Sequence, residues 1–250
     1  MPAWTPDAVR QVPGWFTPTE WRWLGVAALG SAGLITWAAF LRRVRNRGIA
    51  QEGDRTCGSE TYRQVLGAHK TPTHKADRAW QYMPYVRASA QHFGVDPTLL
   101  AALVHTESGW NPSAGSKAGA QGLAQFMPNT AIGIFRRLAS EGQWPFPELT
   151  QNNDPVATTR FRAAGVERFL DRTDPQQSAW LGAKLVRDLM AKHRNVEIAL
   201  AAYNAGGGRV VGKPRSEWPQ ETQRYVPGVL RRQSWYQELE QACGRGRLFA

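Results

Sequence analysis

Two cysteines in 250 residues, Cys57 and Cys243, are too few for a disulfide-dense scaffold. They also lack the close cysteine pairs that a thiolate zinc site requires. The five histidines form no metal set: His69 and His74 sit in a polar stretch, and His105 stands alone inside an apolar run. No glycine-rich phosphate loop, aromatic RNA-binding signature or internal repeat is present, and alternating strand patterns are sparse. Acidic residues are in short supply, 20 against 31 lysines and arginines, for a formal charge of +11. Ten basic and five acidic residues lie up to residue 76, and 21 and 15 after it, so the excess is spread rather than confined to a tail. Such a surface suits anionic polymers or lipid headgroups. Without a nucleic-acid motif, nucleic acid is not an expected partner. No metal and no cofactor are expected.

One long uncharged run breaks the polar N-terminal region. "WLGVAALGSAGLITWAAFL", residues 23–41, holds 19 residues without a charge. As a helix it spans roughly 28 Å, close to the ~30 Å hydrocarbon core of a bilayer. Trp21 and Trp23 stand at one edge, where indole rings favour the interface. The run is longer than the core of a signal peptide, and we read it as a membrane anchor, although its glycines and alanines also fit a signal peptide or a buried helix. Arg42, Arg43, Arg45 and Arg47 follow it, whereas only Arg10 and Arg22 precede it. That asymmetry favours a cytoplasmic C-terminal side, although long domains cross regardless of flanking charge.

The remaining chain divides by composition. A tail over 1–22 precedes the anchor, and residues 42–76 read as a basic and polar linker containing "HKTPTHK". The folded domain is expected over 77–243, followed by a short tail over 244–250. Its signals are helical: Trp80, Met83, Val86, Ala90 and Phe93 recur at three- and four-residue steps. Asp96-Pro97 and Asp174-Pro175 each combine an N-cap acid with proline at the first helical position. "NVEIALAAYNAGGG" starts on an asparagine and stops on glycines, and a last helix is expected over about Glu221–Ala242. The fold class is all-α. Cys57 and Cys243 flank this domain and can form one disulfide in an oxidising compartment; two free thiols fit the sequence equally well.

One acid stands out. On the helix opened by Asp96, Leu99, Leu103 and Glu107 fall at four-residue steps and share a face. Glu107 therefore ends an apolar stripe just where a glycine-rich loop begins. Partial desolvation there raises a carboxyl pKa, which suits a proton donor working near neutral pH. A solvated glutamate at a helix end satisfies the spacing as well.

The segment after Glu107 adds to this. The chain reads Glu107-Ser108, Asn111-Pro112, Ser116, Gly119-Ala120, Gly122-Leu123, Gln125, Met127-Pro128 and Thr130-Ala131, then "ALAAYNAGGGRV" over 199–210 and "ETQRYV" over 221–226. In these three ordered motifs it resembles the lytic transglycosylases of glycoside hydrolase family 23, relatives of goose-type lysozyme, over about residues 80–235. Two departures stand out: Ala124 precedes the glutamine where members carry methionine, which would widen or soften one groove wall. The stretch between Ala131 and Asp174 is also longer than usual, and reads as a loop-and-helix insertion beside the glycan groove.

The resemblance implies a lysozyme-like helical domain acting on peptidoglycan glycan strands. Glu107 would protonate the oxygen between N-acetylmuramic acid and N-acetylglucosamine, then serve as base while the muramic 6-hydroxyl closes a 1,6-anhydro ring. Ser116, Gln125, Met127 and Tyr203 match sugar-contacting positions of the family, with the Tyr203 hydroxyl near the acid. Asn204 and Glu221 are candidates for the same groove, though a turn and a helix cap explain them too. Ser108 is expected to position Glu107 through a local hydrogen bond, and Trp110 either stacks on a sugar or lies in the core. The expected setting is the bacterial inner membrane with the domain in the periplasm, opening the wall for a secretion, conjugation or phage assembly. A goose-type muramidase would instead need a water-holding acid, sought over 132–174, and a wall-binding protein would need no acid at all.

Overall fold

Helix limits follow the local signals closely. The computed structural model describes residue 54 and residues 57–244. The expected anchor over 23–41 lies outside the described residues, and none of the described helices is long and apolar enough to cross a membrane. Nine α-helices are described: α1 Ser59–Ala68, α2 Thr73–Phe93, α3 Pro97–Ser108, α4 Pro128–Ser140, α5 Ala157–Ala164, α6 Pro175–His193, α7 Val196–Ala205, α8 Gly207–Val210 and α9 Gln220–Ala242. Among the described residues the only β pairing is two isolated bridges inside one loop, joining Gly115 to Gln121 and Gln121 to Phe126.

The caps explain the boundaries. Asp96 accepts a hydrogen bond from the Thr98 amide, Asp174 from Gln177 and Asn195 from Ile198, each satisfying an amide that the first helical turn leaves unpaired. Gly109 ends α3 in the left-handed region, at φ 56°. Helix α3 is apolar around its whole circumference, every residue from Pro97 to His105 being buried. A helix without a polar face belongs in the centre of a domain. Helix α9 lies along it, α2 and α6 pack on other sides, and α1 is held between α2 and α9.

The N-terminal boundary differs from the expectation. Residues 57–76 belong to the folded body: Tyr62 and Leu66, one turn apart on α1, are fully buried in the core. The segment reads as linker because every other α1 side chain keeps some contact with water, leaving its composition polar. Asp54 is buried too, accepting from the Tyr62 hydroxyl and the Arg87 guanidinium, both at 2.7 Å. A disulfide joins Cys57 to Cys243 with their Cα atoms 5.3 Å apart, across 186 residues of sequence. It fastens the segment before α1 to the end of α9.

The long stretch after Ala131 is built around a buried ion pair. Helix α4 leads into an extended run, then α5, then the tightly bonded stretch 166–174. Arg172 and Asp154 both have fully buried side chains. The guanidinium donates to both carboxylate oxygens, Nε at 2.7 Å and Nη2 at 2.8 Å. Paired geometry of this kind makes burial of two charges tolerable.

Candidate active site

The last turn of α3 delivers Glu107 to a place where Tyr203 of α7 and Tyr225 of α9 approach it. Gly109 and Trp110 both adopt positive φ, 56° and 65°, and turn the chain sharply away from the helix. The turn is held by the Trp110 side chain, which is fully buried and donates from Nε1 to the Tyr236 hydroxyl at 2.6 Å. Trp110 is thus a core residue, and the sugar-stacking alternative is set aside because no face of the ring reaches solvent. Tyr236 also meets His105 Nδ1 at 3.0 Å. With the tyrosine oxygen accepting from Trp110, its proton points to His105, leaving that ring neutral. Burial pushes His105 down to about 3, with nearby Arg232 and Lys75 acting in the same direction.

Glu107 is half-buried, and its Oε1 accepts a hydrogen bond from the Tyr225 hydroxyl at 2.6 Å. Its pKa is pushed up to about 7. Burial is the main cause; the Tyr225 hydrogen bond works against it by favouring the charged form, and the Glu221 carboxylate adds to the rise. Burial also drives the Tyr225 and Tyr203 hydroxyls well above the usual tyrosine range, and the Glu107 charge raises both further. Both phenols therefore remain donors at any physiological pH.

Tyr225 was not singled out in the sequence, although it lies inside "ETQRYV". Its immediate neighbours Thr222, Gln223 and Arg224 are polar, and the signal that could have found it was its place as the tyrosine of that third motif. Tyr203, expected beside the acid, is close enough for its titration to feel the Glu107 charge, but its hydroxyl donates to the Ala124 carbonyl at 2.8 Å. Asn204 accepts from the Thr222 hydroxyl at 2.6 Å, fastening the end of α7 to the start of α9. Glu221 is exposed one residue before that contact. Ser108 hydrogen-bonds back to the Val104 carbonyl at 3.1 Å, the usual habit of a helical serine, rather than to Glu107.

Between α3 and α4 the loop folds into a compact double turn. Ser116 is exposed, and its hydroxyl accepts from the Ala120 amide. Gln125 sits at φ 49° and donates from Nε2 to the carbonyls of Ala114 and Gly122, both at 2.9 Å. Met127 is 40% exposed just before α4, an apolar side chain left standing in water. Gly122 is required: at φ +86°, a Cβ there would fall 1.8 Å from the Arg172 carbonyl oxygen. Ala124 is fully buried against Gly182 on α6, so its side chain faces the core instead of a groove wall. Among the described residues no group of three or more His, Cys, Asp or Glu side chains is placed to hold a metal ion.

The site therefore sets one perturbed carboxyl and two protonated tyrosines beside a structured glycine-rich loop, within a wholly helical domain. The family model described as "Transglycosylase SLT domain" matches residues 84–225, more than half of the chain. The chain belongs to that family. It is 28% identical over 241 residues to membrane-bound lytic murein transglycosylase F of Marinobacter nauticus, covering 92% of this chain and 42% of that protein. It is 31% identical over 141 residues to membrane-bound lytic murein transglycosylase C of Edwardsiella ictaluri, covering 56% and 35%. The chain therefore spans less than half the length of these relatives. A solved complex of the 70-kDa soluble lytic transglycosylase with bulgecin A shares the fold, with a TM-score of 0.50 at 17% identity over 88% of this chain and 36% of that one.

Proposed function

We propose that this chain is a peptidoglycan lytic transglycosylase in which Glu107 acts first as general acid and then as general base. The observation that carries the reading is the state of that carboxyl: half-buried, held at about 7 and hydrogen-bonded by Tyr225. Near neutral pH its two protonation states are close in population, as a group that gives and retakes a proton requires. Protonated Glu107 hands its proton to the oxygen linking N-acetylmuramic acid to N-acetylglucosamine, the bond from anomeric carbon to oxygen breaks, and the second sugar leaves as an alcohol. The carboxylate then takes the proton of the muramic 6-hydroxyl as that oxygen bonds to the anomeric carbon. The 1,6-anhydro ring closes, Glu107 is protonated again, and no water is consumed. Ser116, Gln125, Met127, Tyr203, Asn204 and Glu221 are proposed to hold the sugars. The names of both relatives, lytic murein transglycosylases, support this assignment.

Ordinary glycosidases employ two carboxylates. The acid whose charge acts on Glu107 is the exposed Glu221. Of the six acids in the 132–174 stretch, Asp154 is committed to Arg172, Asp171 to the amides of Asn153 and Thr173 and Asp174 to that of Gln177, and none of the six is among the influences on Glu107. This favours the internal nucleophile over a hydrolytic muramidase. The test is mass spectrometry of products released from purified sacculi by the full chain and by Glu107→Gln. Fragments lighter than hydrolysis products by one water, present only with the unmutated chain, are the expected result. Reducing ends would overturn the transglycosylase chemistry, and equal release by both proteins would overturn the role of Glu107.

The same proposal places the protein in the bacterial inner membrane through residues 23–41, with its domain in the periplasm. The words "membrane-bound" in the relatives' names support the first part, and the Cys57–Cys243 disulfide supports the second, because such bonds persist on the oxidising side. That evidence stands against the arginine cluster after the anchor. A tethered enzyme cuts only the wall within reach, which suits local opening for a secretion, conjugation or phage assembly.

A further inference from the structure

The ion pair of the 132–174 stretch faces the loop that the proposed function assigns to sugar binding. Arg172 uses one nitrogen and its Nε on Asp154, and spends the other nitrogen on that loop. Its Nη1 donates to the Gly119 carbonyl at 2.9 Å and to the Phe126 carbonyl at 2.7 Å. Gly119 and Phe126 bracket the double turn that contains Gly122 and Gln125, with Ser116 just before it and Met127 just after. Two further contacts hold the same loop from the same side: Gly122 is packed on the Arg172 backbone carbonyl, and the Ala124 amide donates to Ser178 Oγ at 3.1 Å. The guanidinium also lies over the Phe161 ring, 5.3 Å from its centre, so its own position is fixed by packing as well as by charge.

We propose that Arg172 is a positioning residue: oriented by Asp154, it clamps the two ends of the sugar-binding loop. On this view the long insertion is a brace behind the loop and does not supply the reacting groups. The inference rests on the reading given above that Ser116, Gln125 and Met127 meet the glycan. Only an arginine does this job at one position. A lysine ammonium carries the charge Asp154 needs, but it cannot also reach two carbonyls in the geometry of a planar five-donor fork. Glu107 and Tyr225 stand on α3 and α9, so the proton-transfer machinery is outside the clamp.

Two full-length variants separate a clamp from a general support. Arg172→Lys keeps a cation beside Asp154, and Arg172→Met with Asp154→Leu removes both charges while keeping volume, a replacement that folded proteins often accept. Both are expected to raise KM for glycan strands so that kcat/KM falls roughly 10- to 100-fold, the scale of small misplacements in binding groups. The pH limb set by Glu107 should not move. Hydrogen exchange of the Gln121, Gly122 and Phe126 amides, all bonded within the loop, should quicken while that of α3 does not. A folded variant with unchanged KM overturns the proposal, and so does a raised KM with unchanged loop exchange. Failure of both variants to fold overturns it too, because the pair would then be holding the domain. If the parent protein leaves sacculi intact, the function reading fails, while the exchange measurement still decides whether Arg172 clamps the loop.

Discussion

The hydroxyl of Tyr225 reaches the Glu107 carboxylate at 2.6 Å from a helix 118 residues further along the chain. This bond is the one influence lowering the Glu107 pKa, while burial and the Glu221 charge raise it. Tyr225→Phe should therefore push the pKa above 7 and move the alkaline limb of the pH–rate profile to higher pH. Loss of an oriented donor at the reacting carboxyl should also cost roughly 10- to 1000-fold in kcat. An unmoved limb would mean that the hydroxyl does not control this titration.

Glu107 should also tax stability as pH rises. Its folded pKa of about 7 lies above the ordinary 4.5, so the folded state holds the proton more tightly than the unfolded chain. The resulting stabilisation is complete below about 4.5 and is lost as pH rises through about 7. Glu107→Gln has nothing to lose across that window. In urea melts the variant should gain on the parent between pH 5 and pH 8 by on the order of 2–3 kcal/mol. Glu240, also pushed to about 7 by burial and the Asp96 charge, bends both curves alike and cancels in the difference.

Trp110→Phe should affect folding and spare binding. The change removes the donor to Tyr236 inside a sealed part of the core, at an expected cost of about 1–3 kcal/mol. KM for glycan strands should stay within twofold of the parent, on the order of what a residue without solvent contact allows. A large rise in KM without loss of stability would return Trp110 to the groove.

Cutting the Cys57–Cys243 link by Cys57→Ser together with Cys243→Ser should lower stability by about 2–4 kcal/mol, because it frees a very long loop in the unfolded chain. Chemical denaturation of the parent with and without reductant should give the same difference.

A phosphatase fused after residue 250 should be active in intact cells, since that reporter works only outside the cytoplasm. Activity confined to a cytoplasmic reporter at the same position would reverse the proposed orientation and let the arginine cluster prevail.

Much of this domain was legible because its helices announce themselves locally. Asp96-Pro97, Asp174-Pro175 and Asn195 cap the helices they were expected to cap, and α9 begins within one residue of the expected start. Helix α1 was not legible: a helix with only Tyr62 and Leu66 fully buried looks like a polar linker until its partners α2 and α9 are known. The site divides in the same way. The place of Glu107 at the end of an apolar stripe follows from a four-residue step on one helix, a local property, while its candidacy as the acid rests on the family resemblance. The Tyr225 and Arg172 contacts depend on approach between distant segments, which periodicity within a segment does not encode. Ser108 misled for the opposite reason, its nearness in sequence suggesting a contact that the i−4 carbonyl takes instead.

The disulfide also decides how the domain bears load. A pull transmitted through the chain before Asp54 reaches Cys57 almost at once and passes across the sulfur bridge to Cys243, at the far end of α9. From there it runs along the helix that carries Tyr225, toward the carboxyl that the tyrosine holds. The Asp54 contacts to Tyr62 and Arg87 share the pull before it reaches Cys57, and beyond the bridge the backbone of α1 and α2 carries none of it. If the proposed anchor and glycan contact both hold, tension between them is carried along α9.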